Sequence, residues 1–140
     1  MKPGKILAAL SIAASAMLYV PSATAFGPTS PYYDAEMAMK DGKYERVLDL
    51  LVDMVFDDDD AKAQYLFATA IDQLDPSGED SVDYFEMSAK NGFADAKYAL
   101  GMKYLKGFGV EKDLETAKAY LKDAGQTGNA EAREVLKGLE

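Results

Sequence analysis

The chain has 140 residues, 49% hydrophobic and 28% charged, a composition that suits one folded domain with a core of its own. Its 24 acidic residues outnumber 15 basic ones for a net charge of −9, and a surface of that sign repels nucleic-acid phosphates and anionic lipid headgroups. With no Cys, His or Trp, the chain lacks a thiol nucleophile, a disulfide, an imidazole base and the usual zinc ligands.

Residues 1–25 have the pattern of a secretory signal peptide. Lys2 and Lys5 precede an apolar run from Ile6 to Val20, Pro21 breaks it, and Ala23-Thr24-Ala25 offers a small-residue cleavage site. The run is too short, and too rich in Ala and Ser, for a good membrane span. The expectation is cleavage after Ala25, no membrane insertion afterwards, and a periplasmic or secreted product. Loss of Lys2 and Lys5 with the leader leaves 13 basic residues against 24 acidic, a charge of −11.

Phe26 to Tyr33, with Gly27, Pro28 and Pro31, suits an extended lead-in. A short helix is predicted from Asp34 to Asp41, with Gly42 at the left-handed position that ends it. Tyr44, Val47, Leu48, Leu51 and Val55 then recur at i, i+3, i+4, i+7 and i+11, the spacing of an amphipathic helix. Residues 34–56 thus read as a first hairpin. Asp57 to Asp60 lack calcium-loop spacing, so Asp59 or Asp60 is expected to cap the next helix. That helix runs from Ala61 to Leu74. Asp75-Pro76-Ser77-Gly78 places preferred residues at each position of a type I turn, and Ser81 to Asn91 returns as a helix with Tyr84, Phe85, Ser88 and Ala89 on one face.

The same spacing then repeats. Ala61, Ala63, Tyr65, Phe67, Ala68 and Ile71 match Ala94, Ala96, Tyr98, Leu100, Gly101 and Tyr104 at an offset of 33. Ser81, Tyr84, Ser88, Ala89 and Gly92 match Ala117, Tyr120, Ala124, Gly125 and Gly128 at an offset of 36, so the first copy has the shorter turn. In the second copy Gly107 and Gly109 flank Phe108, Val110 is expected to anchor the loop, and Asp113 caps a helix carrying Ala117, Tyr120, Leu121 and Ala124. Gly101 and Ala68 are small where paired helices would cross. Asn129 to Gly138 reads as a last helix, apolar along Ala132, Val135, Leu136 and Leu139 and charged on its other face. A repeat of this length marks stacked helix pairs, none of which buries its apolar face alone.

The stretch from Ala94 to Gly128, with Leu100-Gly101, Tyr104, Gly107, Gly109-Val110, Asp113, Ala117 and Tyr120, resembles the Sel-one-like repeat family, relatives of the tetratricopeptide repeat. The resemblance implies an all-α fold: a short α-α solenoid of antiparallel hairpins, with hairpin 34–56, repeats 61–92 and 94–128, and a capping helix in 129–140. It also implies a scaffold that holds another protein or peptide, here an exported or envelope one, without a cofactor.

Where first helices line the binding face, the stripe opposite the packed one carries Tyr98, Met102 and Leu105, with Tyr65 and Thr69 in the preceding copy and Tyr33 and Met37 in the opening hairpin. These seven residues are the candidate partner-binding surface, since Tyr and Met suit interface cores. The alternative is that each Tyr packs between neighbouring hairpins. Enzymatic chemistry would fall to Ser, Lys, Tyr or carboxylates. A Ser-x-x-Lys motif is absent, as Asp80, Tyr84 and Asn91 follow Ser77, Ser81 and Ser88, and no carboxylate pair stands out. The leading reading is a non-enzymatic adaptor or regulator. The alternatives are a self-assembling or accessory subunit of an envelope complex and, less favoured, a carboxylate-based hydrolase.

Overall fold

A computed structural model describes residues 30–56, 60–75 and 77–139. The leader 1–25, most of the expected lead-in, Asp57 to Asp59 and Pro76 lie outside the described residues. Seven helices follow one another among the described residues: α1 (Pro31–Lys40), α2 (Tyr44–Val55), α3 (Ala61–Leu74), α4 (Val82–Lys90), α5 (Ala94–Lys106), α6 (Leu114–Thr127) and α7 (Ala130–Lys137). Each packs on the next, and α1 also reaches α3. This succession of neighbour contacts is the all-α solenoid that the repeat predicts.

The first helix starts at Pro31, three residues before the predicted Asp34. Pro31 stands in the first turn, where a missing N–H costs nothing and a fixed φ is already helical, so 31–33 are helix and not lead-in. The stripe of α2 comes out as its spacing demands: Val47, Leu51 and Val55 are fully buried. Burial of one such Leu contributes about 2 kcal/mol. Asp60 caps α3, its carboxylate accepting from the Ala63 N–H at 3.0 Å. Asp113 caps α6 through the N–H groups of Glu115 and Thr116, and Thr116 Oγ1 adds a bond at 2.6 Å that pulls the Asp113 carboxyl below its usual range.

The two copies meet their cores differently. In the first, Phe67 lies 4.9 Å from Tyr84, ring centre to ring centre, and Ser81 and Ser88 are buried. Ser88 donates to the Ala61 carbonyl at 2.6 Å, which satisfies an oxygen near the start of α3. In the second, buried Ala117 and Ala124 replace those serines, Leu100 replaces Phe67, and Tyr104 stacks on Tyr120 at 5.7 Å. Gly101 explains the closeness of α5 and α6. A Cβ there would stand 2.8 Å from Leu121 Cγ and 3.3 Å from the Ala117 carbonyl oxygen.

The join between the copies combines apolar packing of Ala96 and Leu100 with a buried polar contact. Lys103 of α5 is only 4% exposed, and its Nζ donates to Asp72 Oδ1 of α3 at 2.6 Å and to the Gly78 carbonyl at 3.2 Å. The Ser81 hydroxyl donates to the same Asp72 oxygen at 2.6 Å. The Phe108 ring covers the ammonium, with its centre 4.5 Å away. Phe108, 37% exposed, thus lays one face on the Lys103–Asp72 pair, while Val110 in the same loop is half-buried. Gly109 has φ +73°, and a Cβ there would land on the Gly78 carbonyl, so the two turns meet where only Gly fits.

Candidate partner-binding surface

The seven sequence-predicted residues fall into three settings. On α1, Tyr33 is 55% and Met37 40% exposed, one helical turn apart. On α3, Tyr65 is half-buried: its ring centre lies 5.9 Å from that of Phe85 and 5.0 Å from that of Phe93. Burial foremost, with the nearby Asp95 carboxylate, pushes the Tyr65 hydroxyl above its usual range. Thr69 turns its hydroxyl inward, donating to the Tyr65 carbonyl at 2.8 Å. On α5, Tyr98 and Met102 are half-buried against the Leu121, Ala124 and Ala132 core, while Leu105 is half-buried one turn further on. The structure thus brings Tyr33 together with Met37 and Tyr98 together with Met102. Tyr65, between the two pairs, is engaged with the neighbouring hairpin.

Beside Tyr98 the surface opens into a groove of about 450 Å³, lined by Tyr98 of α5 and by Ala130, Glu131, Arg133, Glu134 and Val135 of α7. α7 is held at its start and along its α6 side. Asn129 accepts from the Ala132 N–H at 2.7 Å and donates through Nδ2 to Asp95 Oδ1 at 2.7 Å, so the cap of α7 is tied to the first turn of α5. Arg133 Nη1 donates to the Gly125 carbonyl at 2.8 Å, which fixes α7 on α6. On the rim, Glu134 is exposed and its hydrogen bond to Lys137 at 2.8 Å holds its carboxyl below the usual range.

No group of three or more acidic side chains among the described residues is placed to hold a metal ion. None of the described helices is long and apolar enough to cross a membrane. The groove offers an aromatic wall, an aliphatic floor and two carboxylates, which suits recognition more than bond-making.

The architecture has a counterpart among solved structures. A crystal structure of a Sel1 repeat protein from Oxalobacter formigenes matches it with a TM-score of 0.54 over 76% of this chain and 97% of that one, at 23% identity. The fold is a Sel1-type helical repeat. In sequence, 60 residues are 42% identical to DAP3-binding cell death enhancer 1 of Rattus norvegicus, a match that covers 42% of this chain and 12% of that protein. The match thus spans about an eighth of the length of that curated relative. No protein-family model matches the chain.

In the Sel1-type stack the groove occupies a specific place, which the sequence reading passed over. Position 93 leads α5 with Phe, and 36 residues on Asn129 leads α7; position 98 is Tyr, and 36 residues on stands Glu134. Two aromatic positions become polar at the last step of the repeat. That change was the available signal in the sequence.

Proposed function

We propose that this protein is an exported, non-enzymatic scaffold that binds another protein of the cell envelope, as an adaptor or regulator. The observation that carries the reading is the Sel1-type stack with an open, aromatic-walled groove at its last helix. A helical repeat buries its apolar faces between neighbours and leaves an extended surface for a partner. The relative from rat carries protein binding in its name, which agrees with this reading at the level of class. Export rests on the pattern of residues 1–25, with cleavage after Ala25 and action in the periplasm or outside the cell.

The test has two parts. Expression of the full chain with a C-terminal tag, followed by fractionation and intact-mass measurement, is expected to return a chain beginning at Phe26 from the exported fraction. Reciprocal capture from the envelope extract is expected to return one protein with either partner as bait. A cytoplasmic chain that keeps its leader refutes export, and a folded bait with no reciprocal partner refutes the adaptor reading. A second reading, a self-assembling subunit, has Tyr33 and Met37 in its favour, since both stand exposed on α1 at the start of the described stack. Light scattering that shows growth of assemblies with concentration supports it over the adaptor.

A further inference from the structure

The groove beside Tyr98 is the place where the repeat departs from its own rule. In the first copy Tyr65 is covered by Phe93 at 5.0 Å, and both Asp95 and Tyr98 of α5 lie close enough to act on its hydroxyl. In the second copy Tyr98 occupies the position of Tyr65, and Leu121 that of Phe85. The residues that should cover it are Asn129 and Glu134. Asn129 is buried and committed to its cap and to Asp95, so it does not swing over the ring. Glu134 turns to Lys137 on the outside. One flank of Tyr98 is left facing open space where the preceding copy has aromatic contacts.

We propose that this groove takes an aromatic side chain of a partner peptide, flanked by Lys or Arg, in the position that Phe93 and Tyr98 fill one repeat earlier. The inference rests on the protein-binding reading and names the chemistry of its ligand. The aromatic ring is specified by what is missing: an edge or tilted contact with Tyr98, supported by Val135. The cation is specified by the acidic character of the chain. Glu131 and Glu134 are exposed carboxylates on the groove wall, where Arg133 binds the Gly125 carbonyl and Lys137 pairs with Glu134, so the wall itself is close to balanced and the excess of negative charge is that of the whole chain, −9. Such a net charge steers a basic segment toward the protein and repels an acidic one, and the two wall carboxylates give its cations a place to pair. Lys137 leaves Glu134 without loss when a peptide cation takes its place, since their pair is exposed and exchanges one charge-assisted contact for another.

The test is an amide chemical-shift titration of the purified, isotopically labelled full-length protein with three synthetic peptides that share a Gly-Ser frame and carry a Lys-Phe-Lys, Glu-Phe-Glu or Lys-Ala-Lys core. The Lys-Phe-Lys peptide is expected to shift amides around Tyr98 and along α7. The Glu-Phe-Glu and Lys-Ala-Lys peptides are each expected to bind at least about tenfold more weakly, from lost or reversed rim contacts and from the lost ring respectively. Two variants keep the inference exposed to failure. Glu134→Tyr restores the aromatic of the earlier copy and is expected to abolish binding with no loss of stability, while Glu131→Lys/Glu134→Lys leaves the groove open and weakens the basic peptide on the order of tenfold. Equal binding of the three peptides, shifts confined to other helices, or full binding by Glu134→Tyr overturns it. Shifts at Tyr98 and α7 that grow with protein concentration and without peptide also overturn it, by assigning the groove to a second copy. If a reciprocal partner is captured equally by Glu134→Tyr, the groove assignment fails and the adaptor reading stands.

Discussion

Removal of the Asp72 carboxylate should destabilise the protein more than removal of the Lys103 ammonium that it meets. The asymmetry follows from burial. Lys103 is 4% exposed with its charge inside the fold, whereas the Asp72 side chain is 21% exposed and can turn to water. Asp72→Ala leaves the ammonium with the Gly78 carbonyl at 3.2 Å and the faces of Phe108 and Phe85 at 4.5 and 5.5 Å. Breaking a buried pair from one side costs about 3–5 kcal/mol, and the remaining carbonyl and rings place this case at the lower end, about 3 kcal/mol. Lys103→Met keeps the length and packing of the side chain, while Asp72 retains water and the Ser81 hydroxyl at 2.6 Å, so its cost is about 1 kcal/mol. The double variant Asp72→Ala/Lys103→Met should recover most of the difference. Thermal unfolding followed by circular dichroism reads the effect, with Asp72→Ala lowering Tm by about 12 °C and Lys103→Met by about 4 °C for a domain of this size. A Lys103→Met loss equal to or above that of Asp72→Ala, or strict additivity in the double variant, would refute the account of this join.

Gly109→Ala forces a side chain into the left-handed region and onto the Gly78 carbonyl, so it should cost about 3 kcal/mol in urea unfolding, whereas Gly92→Ala, with open space around it at φ +86°, should cost only the backbone strain of about 1 kcal/mol. The Tyr32 hydroxyl, pushed up to about 12 by burial and by its hydrogen bond to Asp60, stays protonated in the fold where an unfolded Tyr ionises near 10. Its contribution is complete below pH 10 and is lost as pH rises through about 12; Tyr32→Phe should be less stable at neutral pH and show a flatter decline above pH 10, by chemical denaturation across that range. The carboxyls of Glu36, Asp75 and Asp113 sit below their usual ranges through hydrogen bonds to Lys62, Ser77 and Thr116, so stability present at pH 5 should fall as acid protonates them, and Asp113→Asn should blunt that fall.

The sequence was most informative where a physical constraint is local. The i, i+4, i+8 spacing of Val47, Leu51 and Val55 needs only a helix with a dry side, and those three residues are buried. Asp60 and Asp113 signal their caps because a cap lies within three residues of the groups it satisfies. Offsets of 33 and 36 carry the stacking of hairpins, since equal units must pack equally. The start of α1 was misplaced because Pro31 reads as a breaker inside a helix and as a favoured residue at its first turn; the two differ only by position.

The buried polar residues were less legible. Lys103 stands seven residues after Ala96 and three after Leu100, on the packed stripe of α5, yet a Lys there is easily assigned to a solvated edge. What keeps it inside is Asp72, 31 residues earlier, together with a carbonyl in a turn and a ring in another loop. Gln64, fully buried, donates to the Val55 carbonyl at 3.4 Å and accepts from Asn91 at 2.9 Å, again across helices. No spacing within one helix encodes such partners.

The same polar contacts distinguish α7 from the helices before it. Lys103 of α5 reaches back to Asp72 of α3, and the residue 33 positions after Asp72 is Leu105, which lacks the carboxylate that receives Lys103. The pair of Gln64 with Asn91 has its own counterpart, since Lys97 and Thr127 occupy those positions in the second copy and meet at 3.2 Å, with Asp123 adding an ion pair at 2.9 Å. Bonds within a copy are thus carried forward with changed residues, while the bond that reaches to the next copy is not. A helix that follows α6 must therefore be held by other means, and it is: Asn129 binds Asp95, and Arg133 binds the Gly125 carbonyl. These contacts fix α7 at its start and along its α6 side and leave its face toward Tyr98 without an aromatic. The open groove follows from an α7 that meets α5 and α6 through these polar contacts and through the aliphatic Ala132, Val135 and Leu136, where the preceding step packs the Phe93 ring on Tyr65.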